Sequence, residues 1–449
     1  MNTKSSKKNT KTSMHSKTYS LIILAIGLVS LFSCSNENEV MENPTNVSFN
    51  EGDTIKIPSI EELNFTRAEE DVNDGINRFG LIFFNEAARR ENIFDQVDTD
   101  NGRICHNIAV SPISATIALS MAANSCDDAT AEAISGMFGY SDLNTFTSTA
   151  NQLMRYLTST STGATLELAN AVFYEDKYTP LDEWKTNIKE NLFSSVHPID
   201  FGNASNVDVI NKWCSDNTHG LIPEFLQSID SNTLAMFINA MYFYGAWENP
   251  FSKSSTEKRE FNSRDYGKLT IDMMRKADEF GYFQCDKYQL LTIPFLNGIT
   301  EMALILPSEE ISASNLAKTM TYDNLYDGIQ NQESQKISLT LPKFNISAGI
   351  DATEILQSLG LPGAVELKKM GINTGDEKGI RSYQKVKATI DEEGAELAAA
   401  SEVEVLLTST LSAESQPEIK TVTFDRPFLY FFINKRSGTI LMAGVINNL

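Results

Sequence analysis

The chain has 449 residues, and its 41% hydrophobic and 9% aromatic content is ample for a large core, which excludes wholesale disorder. Acidic residues outnumber basic ones by 59 to 37, which gives a formal net charge of −22. This acidity argues against a nucleic-acid partner or an anionic membrane surface, because phosphate binding requires a basic field. With only four histidines and five cysteines, neither a His-rich metal centre nor a disulfide-dense scaffold is expected.

The first 33 residues have the pattern of a signal peptide. Residues 1–20 contain five lysines and no acid, and an apolar run extends from Leu21 to Phe32. As a helix this run spans roughly 18 Å, which is too short for a bilayer core of about 30 Å. The run ends at Ser33 and Cys34, and a small residue before a cysteine resembles the acylation site of bacterial lipoproteins. The alternative is an unmodified cysteine beside an ordinary cleavage site.

The resemblance to lipoproteins implies a membrane partner and an address. An acylated Cys34 would become the first residue and would hold the protein at a membrane through its lipid. Ser35 follows it in place of Asp, the usual inner-membrane retention signal of such proteins, which implies the outer membrane. The face of that membrane stays open, although Glu37 and Glu39 resemble the surface-export signals of some Gram-negative lipoproteins.

Residues 34–70 are predicted to form an acidic tether. Nine acids stand there against only Lys56 and Arg67, and such a segment buries little surface and stays solvated. No Pro/Gly/Ser-rich linker, repeat or long single-charge block interrupts residues 71–449. The sequence therefore predicts a signal peptide over residues 1–33, a tether over residues 34–70 and one domain over residues 71–449.

Helical signals dominate the first part of this domain and strand signals the later part. Apolar residues recur at helical spacing from Asp74 to Arg90, and a second helix is predicted over Ser111–Ala123, where Pro112 suits the first turn. Helices first and strands later predict an α+β fold, not an alternating parallel sheet. The predicted strands are short, β-branched or aromatic, and bounded by turn residues: Leu234–Phe243, Gln289–Phe295, Met302–Leu306, Lys336–Phe344, Thr421–Phe424 and Phe428–Ile433.

The sequence offers almost no catalytic motif. It contains no G-x-S-x-G, H-E-x-x-H, C-x-x-C, Walker or G-x-G-x-x-G pattern. Cys105 and His106 are adjacent, but sequence neighbours rarely form a working dyad, so a structural role is expected. We therefore expect no enzyme activity and no cofactor. Four cysteines are candidates for disulfides of unknown connectivity: Cys105, Cys126, Cys214 and Cys285. Three tryptophans are expected to be core residues: Trp184, Trp213 and Trp247.

The stretch from Glu392 to Leu407 alternates with a period of two. Its odd positions from 395 onward read Ala, Leu, Ala, Ser, Val, Val, Leu, whereas its even positions include three glutamates. This period is typical of a strand with one buried and one solvated face. Residues 408–417, however, look like a loop. Two interpretations stay open: an ordinary edge strand followed by a loop, or a strand that slides into an already formed sheet.

Several blocks of the domain resemble, in order, the motifs of one family. Asn107–Ser114 resembles the Asn-Ile-x-x-Ser-Pro-x-Ser signature of serpins, and Phe237–Trp247 is similar to their Asn-Ala-x-x-Phe-x-Gly-x-Trp segment. The resemblance covers essentially residues 71–449. The remaining matching blocks are Leu168–Phe173, Ile210–Trp213, Thr218–Ile222, Asp391–Glu396 and Phe424–Phe428.

The resemblance to serpins implies a fold and a mechanism. The fold would contain three β-sheets, eight to nine helices and an exposed reactive-centre loop over about residues 394–420. A target protease would cleave this loop as a covalent acyl-enzyme, and the proximal segment would enter the central sheet as a new strand. We expect the inhibitor to be a monomer whose partners are proteases. The hinge that starts this insertion would contain Glu392, Gly394, Ala395, Ala398, Ala399 and Ala400.

The family's spacing from hinge to scissile bond selects Thr408–Ser409, with Leu407–Thr408 and Leu411–Ser412 as alternatives. No Lys or Arg occurs between Lys387 and Lys420, so elastase-like, chymotrypsin-like or subtilisin-like targets are expected instead of trypsin-like ones. Papain-like cysteine proteases are a further option because Leu407 precedes Thr408.

A second set of residues is implied to lie where the sheet opens: Ser111, Ser114, Asn239, Trp247 and Gln384. Gln384 stands where the family usually has a histidine. Leu397, where small residues are usual, is the one feature that favours a non-inhibitory binding protein of the same fold.

Overall fold

In the computed structural model, the described residues are 54–90, 96–97, 104–105, 107–140, 142–159, 163–363, 365–372, 379–396 and 419–449. All of them belong to the compact unit Ser48–Leu449. The predicted signal peptide, Cys34 and the predicted scissile bond lie outside the described residues, as do Leu397 and the three hinge alanines at 398–400. None of the described helices is long and apolar enough to cross a membrane.

Capping residues explain where the first two helices begin. The Thr66 side chain accepts a hydrogen bond from the Glu69 backbone N–H, and the Glu69 carboxylate accepts one from the Thr66 N–H. At the second helix, Pro112 is the first helical residue and so lies in the first turn as predicted, and Ser111 is the N-cap. The described residues form nine α-helices: α1 Arg67–Arg89, α2 Pro112–Ala123, α3 Asp128–Met137, α4 Leu143–Leu157, α5 Asp182–Leu192, α6 Val207–Asp216, α7 Ala313–Thr319, α8 Tyr322–Gln330 and α9 Thr353–Ser358.

The ordered domain starts earlier in the chain than the predicted boundary at Asp71. Helix α1 already begins at Arg67, because the capping box at Thr66 satisfies its first backbone N–H groups. Ahead of it, Ile57 is buried, and the Ile60 N–H donates to the Arg155 carbonyl at 3.1 Å. The described end of the predicted tether therefore packs on the domain.

The predicted strands are all present, with small differences at their ends. Phe344 begins a strand of its own instead of ending the preceding one, because Pro342 closes that strand. The strands are β1 Gln96–Val97, β2 Ile104–Cys105, β3 Ile108–Val110, β4 Ala164–Glu175, β5 Ser194–Ile199, β6 Thr233–Ala246, β7 Glu257–Ser263, β8 Gly267–Gln284, β9 Tyr288–Pro294, β10 Thr300–Pro307, β11 Glu333–Pro342, β12 Phe344–Asp351, β13 Gly379–Arg381, β14 Tyr383–Ile390, β15 Gly394–Glu396, β16 Lys420–Thr423, β17 Phe428–Asn434 and β18 Ile440–Ile446.

These strands form three sheets in the described part of the chain. The seven-stranded sheet has the order β12-β14-β15-β6-β4-β5, and β13 pairs with β6 beside it. The nine-stranded sheet has the order β16-β11-β8-β9-β10-β17-β18-β3, with β7 on β8, and β1 and β2 form a separate pair. The helices and mixed sheets confirm the predicted α+β class.

Two apolar cores hold the seven-stranded sheet. On one side every residue of α2 is buried in the main core, which also contains Ile390 and Ala395. On the other side α6 packs Trp213 against Phe173 of β4, with the ring centroids 6.1 Å apart. The predicted core positions of Trp184, Trp213 and Trp247 are correct, since their exposed fractions are only 3%, 2% and 1%. The sheet is therefore covered on both faces.

The cysteines whose side chains are described form no disulfide. Cys126, Cys214 and Cys285 are free, and the first two are buried. Burial raises the pKa of the Cys126 thiol to about 12 and that of Cys214 well above its ordinary value. Both thiols therefore stay protonated, and neither has the character of a nucleophile.

Candidate functional site

Part of the hinge predicted from the sequence lies in the seven-stranded sheet. Its residues Gly394–Glu396 form β15, which lies between β14 and β6. Ala395 pairs with Ile390 of β14 on one side and with Gly245 of β6 on the other, both antiparallel. Within the described residues β15 ends at Glu396, so the sheet holds the first residues of the predicted insertion strand.

Small side chains are required where β15 enters the sheet. A Cβ atom on Gly394 would lie 2.1 Å from the Gly245 carbonyl oxygen and 2.9 Å from the Ala246 Cα, so only glycine fits without moving the backbone of β6. Ala395 is 2% exposed and belongs to the main core. The predicted hinge roles of these two residues thus have a steric basis.

The backbone before β15 is fastened to the segment that follows β6. The Trp247 N–H donates to the Glu393 carbonyl at 2.9 Å, and the Phe251 N–H donates to the Glu392 carbonyl at 2.8 Å. The Trp247 indole Nε1 donates to the Asp391 carbonyl at 3.0 Å, and its ring stacks on Phe295 with centroids 4.7 Å apart. Trp247, predicted to lie in the sheet-opening region, therefore holds the hinge.

A buried carboxylate anchors the same segment. Glu392 accepts hydrogen bonds from Lys343 Nζ at 2.7 Å and from Thr256 Oγ1 at 2.6 Å, and its side chain is only 4% exposed. Burial alone would raise the pKa of Glu392, but the bonds from Lys343 and Thr256 outweigh it and leave the pKa below its ordinary value. The neighbouring Glu393 pairs with exposed Lys253 at 2.6 Å. Sequence analysis missed Lys343 and Thr256, which carry no local signal.

The predicted sheet-opening residues divide into two groups. Gln384 of β14 is fastened to the N-cap of α2: its Oε1 accepts from the Ser111 N–H at 3.2 Å, and its Nε2 donates to the Ser111 carbonyl at 2.8 Å. The Ser111 hydroxyl lies 2.8 Å from that of Ser114. Asn239 instead donates to the Asn170 side-chain oxygen at 2.7 Å. The structure therefore brings Gln384, Ser111 and Ser114 together and pairs Asn239 with a residue that sequence analysis did not assign to the site.

The groups that contact β15 act on it through packing, hydrogen bonds and one buried ion pair. No group of three or more His, Cys, Asp or Glu side chains in the described ranges could hold a metal ion. The groups around β15 bury a strand, fasten it by backbone hydrogen bonds and neutralise one carboxylate. The arrangement holds a strand between β14 and β6.

A model of the family described as serpin (serine protease inhibitor) matches residues 91–449. The chain belongs to the serpin family. Among curated relatives, serpin B3 of Homo sapiens is 31% identical over 373 residues, which cover 76% of this chain and 93% of the relative. Iripin-2 of Ixodes ricinus is 29% identical over 356 residues, which cover 76% of this chain and 88% of the relative.

Solved structures agree with this serpin in fold. The native state of tengpin, a thermophilic serpin, aligns with a TM-score of 0.72 at 23% identity and covers 88% of this chain and 98% of tengpin. Human thyroxine-binding globulin in complex with its ligand aligns with a TM-score of 0.72 at 22% identity, covering 84% of this chain and 99% of the globulin. The serpin fold expected from the sequence is confirmed, and family membership supports protease inhibition as the general function.

Proposed function

We propose that this serpin inhibits serine endopeptidases by a cleavage of its reactive-centre loop that lets the proximal part of the loop enter the seven-stranded sheet. The observation that carries the proposal is the position of β15, which already separates β14 from β6 at one end. A loop cut beyond this point needs only to extend an existing strand. Its free end would carry the acylated protease along.

The residues that follow β15 suit such an extension. Side chains alternate along a strand, so the odd positions after Ala395 share its buried face. They are Leu397, Ala399, Ser401, Val403, Val405 and Leu407, all apolar or small. From Ala395 to Thr408 an extended strand would span roughly 45 Å. Insertion over this distance would carry the acylated end toward the opposite end of the sheet, so the protease would be displaced.

The loop sequence defines the proposed target class. The scissile bond is assigned to Thr408–Ser409, and no cation lies between Lys387 and Lys420. A trypsin-like pocket, whose buried carboxylate requires a cation, has nothing to bind there. Proteases with small or hydrophobic primary pockets are therefore the targets: elastase-like, chymotrypsin-like and subtilisin-like enzymes. Leu407 extends the proposal to papain-like cysteine proteases.

Incubation of the mature protein with an elastase-like enzyme and with trypsin tests both parts of this proposal. We expect an SDS-stable complex with the elastase-like enzyme, none with trypsin, and a released C-terminal fragment that begins at Ser409 or Thr408. The variant Thr408→Arg is the matched control, and we expect it to form the complex with trypsin. Potent trypsin inhibition by the wild type, or a fragment that begins beyond Ser412, contradicts the assignment.

A non-inhibitory binding protein of the serpin fold is the second candidate. Leu397 favours it, because a bulky side chain stands at the first position beyond β15. Such a protein would be cleaved by the same proteases without forming a complex. It would also gain no thermal resistance on cleavage, whereas an inhibitor that inserts its loop would melt at a far higher temperature.

We propose further that the protein is an outer-membrane lipoprotein anchored through Cys34. The small residue Ser33 before Cys34, and Ser35 after it, support this location. Cys34→Ser should leave the protein soluble or unprocessed, because the acidic chain has no other affinity for a bilayer. Fractionation of cells that express each form provides the measurement, and a mutant that stays in the membrane fraction contradicts the proposal.

A further inference from the structure

Arg381 lies between two carboxylates, one in the segment that leads into β6 and one at the end of β12. Its Nη2 is 2.6 Å from Asp230 Oδ2, and its Nη1 is 3.8 Å from Asp351 Oδ2. All three side chains are about one-third exposed. Hydrogen bonds from the Asn232 N–H and from Arg381 lower the pKa of Asp230 below its ordinary value, so Asp230 is ionised at neutral pH.

Asp230 belongs to the segment that joins α6 to β6, residues 217–232, which we call the strap. The strap is tied to α6 because Asn211 Oδ1 accepts from the backbone N–H groups of Phe225 and Leu226 at 2.8 and 2.7 Å. It runs directly into β6 at Thr233. The strap and Asp230 therefore belong with α6 and β6.

Asp351 belongs to the opposite side of the opening. It is the last residue of β12, which pairs with β14 along its whole length, and Asp351 is opposite Tyr383. Arg381 itself ends β13, and only Ser382 separates it from the start of β14. Arg381 and Asp351 therefore stay together whenever β12 and β14 move as a unit.

The sheet is open at one end and closed at the other. Strand β15 separates β14 from β6 near Gly245, whereas β13 pairs directly with β6 at the far end, with Arg381 opposite Met236. A strand that continued β15 to this end would displace β13 from β6 by about 4.8 Å, one strand spacing. The ion pair between Arg381 and Asp230, which joins the two sides at 2.6 Å, cannot survive that displacement.

From this geometry, and on the basis of the proposed loop insertion, we infer that Arg381 is a positioning residue that exchanges Asp230 for Asp351 when the sheet opens. In the closed sheet its bond to the strap holds β13 against β6. In the open sheet Asp351, which moves with it, keeps the guanidinium paired. The first contact opposes insertion and the second stabilises the inserted state.

Two isosteric variants separate these contacts. Asp230→Asn removes the closed-state charge pair but keeps the side-chain oxygen that accepts from the Asn232 N–H. Asp351→Asn removes the open-state charge and likewise keeps the oxygen that accepts from the Thr353 N–H. Each variant removes one of the two negative charges next to Arg381, so a general effect of net charge on peptide uptake would be equal in both variants. Asp230→Glu, which restores the charge, is the rescue control.

The experiment follows insertion into the intact, full-length protein with a synthetic peptide of residues 395–408. Peptide uptake is timed on native gels, and the melting temperatures of the intact, peptide-bound and loop-cleaved forms are measured for each variant. We expect Asp230→Asn to take up peptide roughly three- to tenfold faster than the wild type, as the loss of one partly exposed ion pair predicts. Asp351→Asn should show no acceleration and should melt at a lower temperature than the wild type in its cleaved form, and Asp230→Glu should match the wild type.

Equal acceleration in both Asn variants, or no acceleration in Asp230→Asn, overturns the role of Arg381 while leaving loop insertion intact. A wild-type protein that takes up no peptide and gains no thermal resistance on loop cleavage overturns the proposed insertion itself, and this inference with it. The wild-type result therefore distinguishes the two failures.

Discussion

Ala395→Arg is the substitution that most directly converts the proposed inhibitor into a substrate. Ala395 is 2% exposed and sits between Gly245 and Ile390 inside the sheet. An arginine there would place an unpaired guanidinium in the main core, at a cost of about 3–5 kcal/mol, and overfilling the site would add about 1–3 kcal/mol. The chain escapes this cost only if the hinge stays out of the sheet.

The expected consequence is a change in the outcome of loop cleavage. Because each ~1.4 kcal/mol corresponds to a factor of ten, insertion should slow by at least about 10²-fold. Hydrolysis of the acyl-enzyme should then be faster than insertion, and the protease should be released active. The assay is the stoichiometry of inhibition of an elastase-like enzyme, with the SDS-stable complex as a second readout.

Ala395→Ser is the matched control, because it adds only one hydroxyl at the same place and should inhibit nearly as the wild type does. A stoichiometry for Ala395→Arg equal to that of the wild type would refute the reasoning. It would mean that burial of this side chain is not required for inhibition.

Two further changes test the hinge. Glu392→Gln should cost about 1–2 kcal/mol of unfolding free energy at neutral pH, since Lys343 loses its charged partner. The folded-state pKa of Glu392 is lowered, so its contribution to the free energy of unfolding is complete above the ordinary value of 4.5 and is lost as the pH falls below it. Denaturant unfolding at pH 7 and at pH 4 should therefore show that the stability difference between wild type and Glu392→Gln shrinks at the lower pH. A difference that stays constant contradicts this. Gly394→Ala should lower the melting temperature and raise the stoichiometry of inhibition because of its 2.1 Å clash, whereas Gly349→Ala in the same sheet, whose Cβ would meet Lys385 at an ordinary 3.6 Å, should do neither.

Local sequence was sufficient to predict some of the helices and strands of this fold. The helix at Ser111–Ala123 was predictable because a capping serine and a first-turn proline act within one turn of chain. The strands were predictable from short β-branched and aromatic runs, and the alternation around Ala395 correctly indicated a strand at Gly394–Glu396. Family motifs, read in order, predicted that Gln384, Ser111 and Ser114 lie close together, because the fold that the motifs specify fixes their positions.

The contacts around the proposed opening were decided only by the tertiary structure. Lys343 and Glu392 are 49 residues apart, and Arg381 and Asp230 are 151 residues apart, so no local period or spacing connects them. Asn239 pairs with Asn170 because the register of β6 on β4 sets those two residues opposite each other. A side chain finds its partner through strand order and register, and a shift of one residue would turn it to the other face of the sheet. Sequence determined which segments become strands, and their mutual packing determined which charges meet.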